Sequence, residues 1–251
     1  NGCCPDRSGG DRMSRRRTGI ADMGQAGEFV AVTTMQMLLD AWKRVKRNRG
    51  AAGGDGMTLA RFEDGLATRL QRLHEELLAA RYRPGPLREA RIPARSGGYR
   101  TLRIPCIRDR VIQTACQVVL QHRLDPEMNS DSFAYRPGRS VAQALTRARS
   151  LARRRQWIVD ADIESYFDSV PHGKLRAMLP DWIDDPRLRD LVILWIEGFG
   201  GKRGLAQGAP ISPLLANLYL ERFDRRLALD GFPSVRYADD FLVFARTRDE
   251  A

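Results

Sequence analysis

Two short apolar segments near the end of the sequence flank a pair of adjacent acidic residues. Val235-Arg236-Tyr237 and Phe241-Leu242-Val243-Phe244 have the composition of strands, and Ala238-Asp239-Asp240 lies between them. The pattern predicts a β-hairpin that carries two carboxylates at its tip. Such carboxylates repel each other and are costly to remove from water unless a cation lies against them. Hard divalent ions such as Mg²⁺ bind a few carboxylates and keep coordination places for substrate phosphates.

Spacing alone does not separate a metal site from an ordinary turn, because Asp184-Asp185-Pro186 is a second double Asp in a polar turn. A second acidic segment favours the metal site. In the stretch 157–163, which we predict to be a buried strand, alternation places Asp160 and Asp162 on one face. An acid in a buried strand needs a partner. That partner is either a metal ion shared with Asp239 or one of the many arginines in a salt bridge.

The rest of the chain predicts a mixture of helices and strands. The Gly-, Arg-, Asp- and Ser-rich residues 1–27 are typical of a disordered arm, which leaves 28–251 as one folded domain. A turn at 96–98 predicts a β-hairpin over 88–105. Apolar periodicity predicts helices over 33–48, 66–77, 108–123, 140–154, 187–197 and 213–229. The expected fold class is therefore α+β, with an antiparallel sheet backed by helices.

The charge of the chain favours a polyanionic partner. Lys and Arg number 42 against 31 Asp and Glu, which gives a net charge of +11. Nucleic acid is a commoner partner for such a chain than a membrane surface, although surface charge that only aids solubility gives the same composition. No run of roughly 18 apolar residues is present, so a membrane span is excluded. The four cysteines form neither a disulfide framework nor a zinc motif, and we expect a reducing, cytoplasmic location.

Six segments in order along the chain resemble motifs of reverse transcriptases of the bacterial group II intron type. Residues 162–168 are similar to the first catalytic motif and 237–240 to the second. Residues 204–217 resemble the Gln-Gly motif that binds template and nucleotide, and 91–105 resemble the fingers hairpin. The two remaining segments are 42–56 and 132–140. The similarity extends from about residue 38 to residue 248.

This resemblance implies an RNA-directed DNA polymerase with right-hand fingers and palm. The thumb is expected to be absent, because residue 251 is only eleven residues beyond Asp240. Asp162 and Asp239 would hold two Mg²⁺ ions, which Mn²⁺ can replace, with Asp240 as a supporting carboxylate. The backbone carbonyl of Ile163 would complete one coordination sphere. The implied partners are an RNA template, a DNA primer and deoxynucleoside triphosphates.

The resemblance also implies the residues that bind substrates. Phe167 would stack under the sugar and exclude a 2′-hydroxyl, and Gln207 and Gly208 would shape the nucleotide pocket. Arg95 and Arg100 would neutralise the triphosphate. Relatives carry Lys at the place of Ala94, so the contact at Arg95 departs from the family pattern. The residues expected to bind nucleic acid are Lys43, Arg44, Lys46, Arg47, Arg136 and Arg139, and a solvated helix face is the alternative for the first four.

Several biological settings remain open at this point. Segments 159–162, 169–172 and 221–227 look similar to CRISPR-associated reverse transcriptases, which are often joined to an integrase. Mobile-intron enzymes, which bind intron RNA, share most of these residues. A splicing factor that keeps the fold without polymerising would have lost the acidic residues, and all three are present. An RNA-dependent RNA polymerase is disfavoured by the bulky Phe167.

Overall fold

The computed structural model describes residues 27–93 and 97–251. The predicted arm, except for Gly27, and the predicted phosphate contact Arg95 lie outside the described residues. The helices are α1 Glu28–Thr33, α2 Met35–Arg47, α3 Leu59–Glu63, α4 Leu66–Leu78, α5 Ile107–Leu124, α6 Val141–Ala152, α7 Tyr166–Ser169, α8 His172–Met178, α9 Pro186–Gly198 and α10 Ser212–Leu229. The strands are β1 Arg88–Pro93, β2 Tyr99–Ile104, β3 Trp157–Ala161, β4 Ser234–Tyr237 and β5 Asp240–Ala245.

Local side-chain chemistry explains where several helices begin. Thr34 has extended backbone, and its hydroxyl accepts a hydrogen bond from the Met37 amide. The predicted helix 33–48 therefore begins after this cap, as α2, and the preceding helix α1 was not predicted from the sequence. Ser140 caps α6 in the same way, and Asp185 caps α9 by accepting from the Arg187 amide at 3.0 Å.

Helix α5 lies at the centre of the main core. It is buried along most of its length and packs against α1 and α2. The leucines that predicted helix α4 behave as expected, since Leu70, Leu73 and Leu77 are buried in this core. Among the described residues, no helix is long and apolar enough to cross a membrane.

The strands form two antiparallel sheets. Strands β1 and β2 make the predicted hairpin, with Arg88 opposite Ile104 and Pro93 opposite Tyr99. The second sheet has the order β3-β5-β4. Its helices lie on both faces: α6 packs on the face that includes Val235 and Phe244, and α10 packs on the opposite face. The predicted fold class, an antiparallel sheet backed by helices, is confirmed.

Strand β3 differs from its prediction as a buried strand over 157–163. It ends at Ala161 and forms one edge of the sheet. Trp157 and Ile158 are 42% and 45% exposed. An apolar run is common to buried and edge strands, and only the sheet order separates the two. The argument that Asp160 and Asp162 are buried and need a partner is therefore wrong, because both are exposed.

Candidate active site

Strand register brings the predicted acids to one end of the second sheet. Tyr237 pairs with Asp240 across the predicted hairpin turn, in which Ala238 has a positive φ of 64°. The last pair between β3 and β5 is Ala161 with Phe241. Asp162 is the next residue after Ala161, and its charge acts on Asp240, the residue before Phe241. We call Asp162, Asp239 and Asp240 together the acidic tip.

The acidic tip concentrates negative charge that no cation in the described part of the chain balances. Asp162 and Asp240 are exposed and Asp239 is half-buried. Partial burial and the neighbouring carboxylates of Asp162, Asp239 and Asp160 raise the pKa of Asp240. No ion pair between described residues involves these four acids. The salt bridge considered as the alternative to a metal is thus not formed by the described arginines.

The second double Asp has an ordinary structural role. The carboxylate of Asp185 accepts hydrogen bonds from the amides of Arg187 and Phe29, at 3.0 and 3.1 Å. Asp184 beside it is exposed. The two Asp pairs therefore differ in their surroundings, since one caps a helix and the other lies among further carboxylates.

The donor chemistry of the acidic tip fits a hard divalent cation. The described residues contain no group of three or more His, Cys, Asp or Glu side chains arranged to hold a metal. Magnesium does not require such a group, because it usually binds one or two protein carboxylates and takes its other ligands from water and substrate phosphates. An open, exposed set of carboxylate oxygens meets that requirement. Ile163, the predicted carbonyl ligand, follows Asp162 directly and is half-buried.

A buried arginine lies directly beneath the acidic tip. The Arg236 side chain is 2% exposed, and its Nε and Nη2 donate to the Asp224 carboxylate at distances between 2.6 and 3.0 Å. Its Nη1 donates to Asn217 Oδ1 at 3.0 Å and to the carbonyl oxygen of Ala238 at 2.9 Å. Ala238 immediately precedes Asp239. The backbone of the turn is therefore tied to helix α10.

Sequence reasoning did not identify this support. A signal was present, because Asn217, Glu221 and Asp224 recur at i, i+4 and i+7 within α10, and all three are buried. A polar row at helical spacing inside an apolar helix indicates a buried polar contact.

Phe167 lies on the short helix α7 and contacts two tyrosines, Tyr135 and Tyr166, on which the charge of Asp239 acts. Its ring makes edge-to-face contacts with Tyr166, at a centroid distance of 5.9 Å, and with Tyr135, at 6.2 Å. The Tyr166 hydroxyl donates to the carbonyl oxygen of Ala216 at 2.6 Å, which holds α7 against α10. The Phe167 carbonyl accepts from the Leu205 amide at 2.6 Å. Phe167 is thus fixed to the segment that contains the Gln-Gly motif.

The Gln-Gly segment joins α7 to the fingers hairpin. The Gln207 carbonyl accepts from the Arg103 amide at 2.8 Å, and Gln207 Nε2 lies 3.4 Å from Asp168 Oδ2. Gly208 has a φ of +116°, and a Cβ there would lie 3.2 Å from the Arg103 carbonyl oxygen. A side chain at 208 would therefore be strained and would press on β2. This close approach gives a structural reason for the glycine.

The basic residues predicted to bind nucleic acid have different surroundings. Lys43 pairs with Asp40, and Lys46 pairs with Glu63. Arg44 and Arg47 are also exposed on α2, and they form no ion pair with the described residues. Arg100 is exposed on β2, and its charge acts on Tyr135 near the acidic tip.

Arg136 does not agree with its predicted contact to nucleic acid. Its side chain is 1% exposed, and its guanidinium donates to the Asp125 carboxylate and to the carbonyl oxygens of Asp125, Asn129 and Ser132. All of its nitrogens are committed to internal bonds, so Arg136 stabilises the loop after α5. Arg139 is half-buried, lies over the Phe133 ring, and donates to the Ser130 carbonyl oxygen.

Comparison with known families and curated proteins places this geometry in context. Residues 92–251 match the family described as reverse transcriptase (RNA-dependent DNA polymerase). Protein YkfC of Escherichia coli is 32% identical over 213 residues, which cover 78% of this chain and 55% of that protein. The group II intron-encoded protein LtrA of Lactococcus lactis is 28% identical over 195 residues, which cover 74% of this chain and 32% of LtrA. This chain thus spans about half or less of the length of these relatives.

A solved structure has the same fold. A chain of the partial Cas6-RT-Cas1–Cas2 complex superposes with a TM-score of 0.55 and 25% sequence identity. The match covers 89% of this chain and 39% of that one.

Proposed function

This chain belongs to the reverse transcriptase family, of the group II intron and CRISPR-associated type, and we propose that it adds deoxynucleotides to a primer on an RNA template. The observation that carries the proposal is the strand register, which pairs Ala161 with Phe241 and so brings the following residue, Asp162, near Asp240 and Asp239. The charge of Asp239 acts on Tyr166, whose ring contacts Phe167, and the Phe167 carbonyl is hydrogen-bonded to the Gln-Gly segment. This arrangement supports the proposed nucleotide addition.

Asp162 and Asp239 would hold two Mg²⁺ ions, and Mn²⁺ would serve in their place. When bound, the ions supply activation of the primer 3′-hydroxyl and stabilisation of the leaving pyrophosphate in an in-line displacement. Asp240 would add a supporting carboxylate, and the backbone carbonyl of Ile163 would serve as a further ligand. The carboxylates of the acidic tip form no ion pair with a described arginine, so their oxygens are available to the metal ions.

The remaining site residues bind and select the nucleotide. Arg100 on the fingers hairpin is exposed and forms no ion pair with the described residues, which leaves its guanidinium available to a triphosphate oxygen. Arg95, which lies outside the described residues, is proposed for the same role. The Phe167 ring would stack under the sugar and exclude a 2′-hydroxyl. Gln207 holds its side chain near Asp168, and its neighbour Gly208 lets the segment pack closely on β2.

Primer extension on an RNA template with deoxynucleotides tests this proposal in the complete gene product. Asp162→Ala and Asp239→Ala should each abolish Mg²⁺-dependent incorporation, because each removes a carboxylate ligand. Asp184→Ala is the matched control, since it removes an exposed acid from the other double Asp. Incorporation that persists undiminished in either tip variant contradicts the assignment.

The same assay separates polymerase from splicing factor. A maturase that keeps the fold only to bind RNA would bind the template in the wild type and incorporate nothing. The presence of all three acids supports the polymerase. Intron RNA and a CRISPR integrase are the two proposed partners, in line with the intron-encoded and Cas1-linked relatives. Pull-down of the complete gene product with each candidate distinguishes them.

A further inference from the structure

Tyr135 combines an unfavourable backbone with an exposed aromatic ring. Its φ of 60° lies in the left-handed region, which disfavours a residue with a Cβ. The side chain is nevertheless large, and the residue is 46% exposed. Core packing therefore does not explain why a tyrosine occupies a position that suits glycine or asparagine. A strained non-glycine residue at a candidate site indicates a functional constraint.

The backbone on both sides of Tyr135 is held in place. Gln121 Nε2 donates to the Tyr135 carbonyl oxygen at 2.8 Å, and the Gln121 side chain is buried. The preceding carbonyl, of Ala134, accepts from Asn217 Nδ2 at 2.8 Å. The following residue is the buried Arg136, whose internal bonds are described above. These contacts hold the backbone that carries the Tyr135 ring.

The ring projects towards the proposed nucleotide pocket. It meets the Phe167 ring edge-to-face, with planes at 84°. Burial and the charge of Asp239 raise the pKa of the Tyr135 hydroxyl, and the charge of Arg100 opposes that shift. The charges of both Asp239 in the acidic tip and Arg100 on β2 thus act on Tyr135. Tyr166 contacts Phe167 as well, so two aromatic rings bound the Phe167 ring.

We propose that Tyr135 is a positioning residue for sugar selection, which restrains the Phe167 ring so that it excludes the 2′-hydroxyl of a ribonucleoside triphosphate. This inference rests on the proposed function. A ring restrained on one side only by Tyr166 would be able to turn away from an incoming ribose. The restraint from Tyr135 removes that freedom, and the strained backbone is retained because it aims the ring.

The experiment measures incorporation of a single deoxy- or ribonucleotide opposite an RNA template by the complete gene product. Asn tolerates a left-handed backbone, so Tyr135→Asn removes the ring without adding strain. The ratio of deoxy- to ribonucleotide kcat/KM should fall by about ten-fold, the order expected when one well-fitted group is removed from a pocket. Tyr135→Phe keeps the ring and should restore a ratio close to that of the wild type.

A double variant shows whether Tyr135 acts through Phe167. Phe167→Ala already removes the excluding ring, so adding Tyr135→Asn should lower the ratio no further. Full additivity, or an unchanged ratio in Tyr135→Asn, overturns the inference while leaving the proposed function intact. Loss of folding in Tyr135→Asn, measured by urea unfolding, would show a structural role and also overturn it. A wild-type protein that incorporates no nucleotide contradicts the proposed function itself, and this inference with it.

Discussion

Removing the carboxylate of Asp224 should be among the most destabilising single changes in this fold. Arg236 and Asp224 are 2% and 3% exposed, and three donor–acceptor contacts of 3.0 Å or less join them. Asp224→Ala leaves the Arg236 guanidinium buried with only neutral acceptors. Breaking a buried pair in this way costs about 3–5 kcal/mol. That is a large share of the roughly 5–15 kcal/mol by which a domain is stable.

Urea unfolding followed by circular dichroism measures this loss directly. A matched control is Asp181→Ala. It removes the ion-pair partner of Arg222, which lies on α10 as Asp224 does. Arg222 and Asp181 are 64% and 58% exposed, so the expected cost is below about 1 kcal/mol. Replacing both buried partners, by Arg236→Met with Asp224→Leu, should recover much of the lost stability because no unpaired charge remains.

If Asp224→Ala loses no more stability than the exposed control, the guanidinium is not dependent on Asp224. The double variant provides a second readout, because it removes the bond from Arg236 to the Ala238 carbonyl oxygen. It should therefore fold and yet need a higher Mg²⁺ concentration for incorporation than the wild type.

Three further predictions concern the proposed site. Gly208→Ala should lower both the free energy of unfolding and nucleotide incorporation, because the positive φ strains the alanine and its Cβ would lie 3.2 Å from the backbone of β2. Urea unfolding and primer extension measure the two effects. Arg44→Gln with Arg47→Gln should weaken the salt dependence of RNA binding, measured as the slope of log K against log salt concentration. The slope should fall by about 0.7 for each single-strand phosphate that these arginines no longer neutralise. Lys43→Gln should change the slope less, because Lys43 is paired with the carboxylate of Asp40. Phe167→Ala should lower the ratio of deoxy- to ribonucleotide incorporation, and an unchanged ratio in an active variant would make the ring ordinary packing.

Features that depend on local pattern were predictable from the sequence. The hairpin around Asp239 follows from apolar runs on either side of a polar turn, and the convergence of the acids follows from strand pairing. The burial of Arg136 was not predictable, because its acceptors depend on how the loop after α5 closes. The Arg236 network likewise exists only once α10 has docked on the sheet. Sequence can identify such a residue type, but it does not locate the tertiary partners.

The edge position of β3 has a consequence for the behaviour of this chain in solution. Within the described residues, β5 is the only strand paired with β3, so the outer row of its amides and carbonyls is free of strand partners. Trp157 and Ile158 add exposed apolar surface to that edge. Such an edge is a template for pairing with another polypeptide, so we expect self-association at high concentration. Ile158→Lys should reduce this self-association, because natural sheets carry lysine on edge strands to prevent pairing with another chain.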